Sequence, residues 1–62
     1  MNMITNEQLT QLHTLYWFKD YFKEKEITIE YLKHLKTLAN ELEVEGLVKE
    51  IENYLLILEN GK

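Results

Sequence analysis

The stretch LANELEVEGL, residues 38–47, decides whether the second half of this chain is one long helix or two shorter ones. It contains no Pro, and its single Gly, Gly46, is tolerated inside a helix at a cost of about 1 kcal/mol. Punctuation alone would therefore permit a continuous helix from 28 to 59. The phase of the apolar positions argues otherwise. Upstream, Tyr31, Leu32, Leu35, Leu38, Ala39 and Leu42 share a stripe about 120° wide at 100° per residue. Downstream, Val44, Leu47, Val48, Ile51, Leu55 and Leu58 form a second stripe. In one unbroken helix the two stripes would lie roughly 160° apart, leaving it apolar on both sides. A turn near 43–46 lets both stripes face one core. The last helix then stops at Asn60-Gly61, a common C-terminal signal.

Working backward, Thr5 and Gln8 have the spacing of a capping box, with Ile4 and Leu9 placed as its hydrophobic staple. Leu9, Leu12, Leu15, Tyr16, Phe18 and Phe22 then fall within about half the helix circumference. This helix is expected to end near Glu24 or Lys25. Thr28 reads as a second cap, with Ile27 and Leu32 as its staple, and the β-branched run at 27–29 weakens helix locally. Apolar and polar residues nowhere alternate with a sustained period of two, so no sheet is expected. The prediction is all-α: a single domain over 1–62, a small three-helix bundle with helices at 6–25, 28–43 and 45–59. The variant is a long helix packed on an αα-hairpin.

Composition narrows the function. Sixty-two residues make one small domain, marginal without help. There is no Cys, which removes disulfides, thiol chemistry and Cys-based zinc sites. Regular helix packing and oligomerisation are the remaining aids. Pro, Ser and Arg are also absent, while Asn, Lys, Ile, Leu, Glu and Tyr dominate. Scarce residues with mostly GC-rich codons and common ones with mostly AT-rich codons suggest an AT-rich bacterial or phage genome. Net charge is −4, with the acids concentrated late in the chain. The opening MNMITNEQ lacks a basic segment followed by an apolar run, so it does not read as a signal peptide. The longest apolar run, LLIL at 55–58, is far short of the ~20 residues of a membrane span. A soluble, cytoplasmic protein with no membrane partner is expected.

Catalytic equipment is missing from the sequence. No Ser or Cys is available, and no Thr stands in a nucleophile elbow. Glu26/Glu30 and Glu41/Glu45 are like-charged pairs on solvated helix faces. His13 and His34 sit on different helices, outside any paired ligand motif, so no metal is expected. No Gly-rich phosphate loop is present, and no cofactor is expected. Lys19, Lys23, Lys25, Lys33 and Lys36 are diluted by four acids in the same window and read as a solvated mixed face. Residues 37–56, TLANELEVEGLVKEIENYLL, resemble a helix-turn-helix through Leu38, Ala39, Leu42 and Val44. The spacing from Ala39 to Val48 and Ile51 is one residue shorter than that family's pattern. The second helix offers Lys49 among Glu45, Glu50 and Glu52, where phosphate and base contacts need cations and amides. A small DNA-binding regulator of that type is therefore the second reading, and nucleic acid is not the expected partner. The same stretch resembles, more faintly, the helical hairpin that closes BTB/POZ-type domains, without the accompanying strands.

The best lead is LYWFKDYF, residues 15–22, which holds five of the seven aromatic side chains. Trp17 and Tyr21, four apart, point away from the arc of Leu12, Leu15, Tyr16 and Phe22. Leu56 and Ile57 fall off the stripe of the third helix in the same way. Apolar side chains left over from so small a core suggest association. The expected role is a non-enzymatic protein-binding module, a regulator, inhibitor or adaptor. It would use Trp17 and Tyr21 as anchors, Leu56 and Ile57 as a second patch, and self-association as a homodimer.

Overall fold

In a computed structural model, which describes residues 4–61, Thr5 opens the first helix as its spacing predicts. Its hydroxyl accepts the Gln8 backbone N–H at 3.1 Å, and its own N–H donates to Gln8 Oε1 at 3.0 Å. Two otherwise unpaired donors are satisfied reciprocally, and α1 runs Asn6–Trp17.

The expected continuation of this helix to 25 is corrected. At Phe18 the chain tightens into a short 3-10 helix, Phe18–Tyr21, and at Phe22 it becomes extended (φ −83°, ψ 133°). Side chains three apart eclipse in a 3-10 helix. Phe18 and Tyr21 accordingly meet edge to face with ring centroids 5.5 Å apart. Extension at Phe22 carries its ring onto Tyr31, 4.9 Å away on the next helix. The aromatic run thus rounds the corner instead of lying along one stripe, and Phe18 is exposed rather than core.

Helix α2 spans Lys25–Glu41, starting three residues before the expected position. Thr28 is not its cap. Glu24 holds that place, and the Thr28 hydroxyl donates back to the Glu24 carbonyl at 3.1 Å from inside the first turn. Thr28 lacks the Glu or Gln three residues on that gives Thr5 its return bond; that position is Tyr31.

The turn near 43–46 is present. The Val44 N–H reaches the Ala39 carbonyl, and the Glu43 N–H reaches the Asn40 carbonyl, each at 3.0 Å. That bond pair is a Schellman motif, with Glu43 in the left-handed region at φ 62°. Helix α3 then runs Glu45–Asn60, with Gly46 inside its first turn.

Each helix feeds one core. Leu12 comes from α1, Leu32, Leu35 and Ala39 from α2, and Leu47, Ile51 and Leu55 from α3. Three α-helices and no strand occur among the described residues, so the all-α three-helix bundle stands. Two side-chain bonds brace it. The Tyr31 hydroxyl donates to the Leu15 carbonyl at 2.6 Å, satisfying an acceptor in the last turn of α1. Lys36 pairs with Glu52 at 3.2 Å between α2 and α3.

Candidate protein interface

The corner between α1 and α2 gathers the exposed aromatics. Trp17 is 64% exposed, Phe18 44%, Tyr21 77% and Phe22 36%. Their placement follows from the local backbone. Trp17 ends the α-helical part, and Tyr21 ends the 3-10 part. The two expected anchors therefore share one surface. With Thr14, Phe18 and Asp20 they line a hollow of about 330 Å³.

This corner is held from behind by Lys19, which sequence reasoning placed on a solvated face. The structure buries it. Its amine lies 4.0 Å from the Tyr16 ring centroid and 4.8 Å from that of Tyr54, and it pairs with Asp20 at 3.4 Å. The two tyrosine rings themselves meet edge to face at 6.5 Å. One lysine thereby ties the aromatic corner to α3. Burial raises the Tyr16 hydroxyl above the usual tyrosine range, helped by the negative charge of Glu50 and by Tyr54 and Asp20. Burial alone raises Tyr31. Only the spacing of Tyr16 and Lys19, three apart on one helical face, hinted at this arrangement.

Leu56 and Ile57 are both exposed, at 56% and 64%. Neighbours on a helix point about 100° apart. Leu56 lines a groove of about 810 Å³ between α2 and α3, whose rim includes Lys33, Lys36, Glu52 and Glu59. Ile57 lies outside that groove.

The remaining chemistry is sparse. Among the described residues no group of three His, Cys, Asp or Glu side chains is placed to hold a metal ion. No helix among them is long and apolar enough to cross a membrane. The α3 helix carries Glu45, Glu50, Glu52 and Glu59 against Lys49. No family model, curated protein or solved structure matches the chain.

Proposed function

We propose that this chain is a non-enzymatic protein-binding module of the cytoplasm, a small regulator, inhibitor or adaptor encoded by a phage or mobile element. It binds protein through exposed apolar helix surface, self-association included. One observation carries this function: four aromatics within six residues, Trp17, Phe18, Tyr21 and Phe22, stand exposed at one corner. Single exposed apolar side chains are ordinary, but a contiguous patch of several hundred Å² marks a binding surface. Trp and Tyr are also the residue types that most often dominate interface energetics. Lys19, Tyr16 and Tyr54 brace the backbone of the corner from behind, which lowers the ordering cost of binding.

Photo-crosslinking in the cell that encodes the chain tests this. A benzophenone amino acid at Trp17 is expected to give discrete protein adducts, and the same probe at solvated Glu30 none. Adding Tyr21→Glu should abolish the Trp17 adducts. No adduct at Trp17 with the chain at its natural level would remove the basis for a binding role.

A further inference from the structure

We infer that the aromatic corner docks on a second copy of this chain across a two-fold axis, each copy's Trp17 ring seating in the hollow of the other. This inference rests on the protein-binding function and gives it a partner. The area of the patch favours it. At roughly 150–250 Å² per aromatic side chain, the exposures of Trp17, Phe18, Tyr21 and Phe22 amount to roughly 330–550 Å², polar atoms included. A standard interface takes about 800 Å² from each partner, of which about 57% is apolar. The aromatic corner supplies much of that apolar share.

Shape points the same way. The projecting rings and the hollow are built from the same five residues, Thr14, Trp17, Phe18, Asp20 and Tyr21. A self-complementary contact needs both halves on one patch, so that a residue and its partner exchange places across the axis. Charge selects this corner over other faces. Lys19 is paired with Asp20, and Lys23, Glu24 and Lys25 follow, so the corner is close to neutral. The α3 face carries four Glu against one Lys, and two copies approaching through it repel. The groove beside Leu56 has a mostly charged rim and serves as the control surface.

Sedimentation of the purified 62-residue chain from about 1 μM to 1 mM, with fluorescence recorded in parallel, tests the pairing. Trp17 is the only tryptophan, so emission reports this corner alone. The expected result is a monomer–dimer transition with a matching blue shift. Trp17→Ala and Tyr21→Ala should each raise the dissociation constant about 30-fold or more, the scale of an interface hot spot. Leu56→Glu should leave it within about threefold, as expected of a residue outside the contact. All three positions are exposed, and far-UV circular dichroism checks that each variant is folded. A monomer at every concentration overturns the pairing, as does a dimer broken by Leu56→Glu and not by Trp17→Ala. Adducts from Trp17 to a different protein, alongside a purified monomer, sink the two-fold pairing while sparing the binding function.

Discussion

Lys19 is a charged side chain left only 9% exposed, and its partners decide what that burial costs. Asp20 is 67% exposed, so this ion pair is screened and contributes about 0–1 kcal/mol. The two tyrosine faces offer more, up to about 2 kcal/mol when the cation is desolvated. The rings therefore dominate, and Lys19→Met isolates them because it keeps the apolar stem. That variant should lose about 0.5–2 kcal/mol in urea unfolding, and Lys19→Ala more, since the stem packing goes too. An unchanged midpoint for Lys19→Met would mean that the rings contribute nothing. Tyr31 has a different signature. Its folded-state value is raised, so above about pH 10 the native protein keeps a proton that the unfolded chain releases. The stabilisation is whole below that pH and is lost as pH climbs through the folded value. Tyr16 acts in the same direction. Tyr31→Phe should cost about 0.5–1.5 kcal/mol at neutral pH through the lost bond to Leu15. It should also lessen the fall in stability above about pH 10, because Phe has no proton to release. An alkaline loss as steep as that of the parent would assign the effect to other groups.

At the level of elements, the turn between α2 and α3 was legible and its mechanism was not. Two apolar stripes out of phase required a break near 43–46, because burial tolerates no helix that is greasy on both sides. Nothing in the sequence pointed to Glu43 as the left-handed residue, a place usually held by Gly or Asn. Gly46, tolerable inside a helix, does lie in helical backbone, with open space where a Cβ would stand. Two substitutions separate these roles. Gly46→Ala should stabilise by about 0.5–1 kcal/mol, since it removes unfolded-state freedom without a clash. Glu43→Gly should also stabilise, relieving a left-handed conformation that costs an L-residue about 1–2 kcal/mol. Thermal unfolding of both variants checks this, and a lower midpoint for Gly46→Ala would mean that the turn needs the glycine. The first corner was harder to read. Thr5 announced itself through Gln8, whereas Glu24 caps α2 with no side-chain bond at all. The exposed site was half legible for the same reason. Trp17 and Tyr21 fell off the core arc at helical spacing. Phe18 joined them where the backbone narrows to 3-10 geometry, just before Phe22 packs on Tyr31. Lys19 was missed because its burial depends on Tyr54, thirty-five residues away in sequence, a pairing that no local pattern encodes.

The whole molecule is elongated, 39 × 19 × 14 Å, with a radius of gyration of 11.8 Å where about 10.6 Å is usual for its length. Its accessible surface of 4920 Å² exceeds the roughly 4250 Å² expected of a monomer of this mass. A chain with that much surface left wet holds a thin core, seven buried apolar side chains among the described residues. At about 0.05–0.15 kcal/mol per residue, total stability should be only about 3–9 kcal/mol. Ile51 is fully buried at the centre, and Ile51→Ala should cost about 2–5 kcal/mol. The two ranges overlap, so this variant alone should leave a substantial part of the population unfolded at low concentration. If native chains pair through the corner of Trp17, pairing draws the equilibrium toward the fold by mass action. Ellipticity of Ile51→Ala at 222 nm should then rise with protein concentration. The double variant with Trp17→Ala should then lose that rise, because position 17 is exposed and its truncation removes the proposed contact without touching the core. Helicity independent of concentration in the single variant would mean that folding and association are uncoupled, and that the exposed aromatic corner does not compensate for the small core.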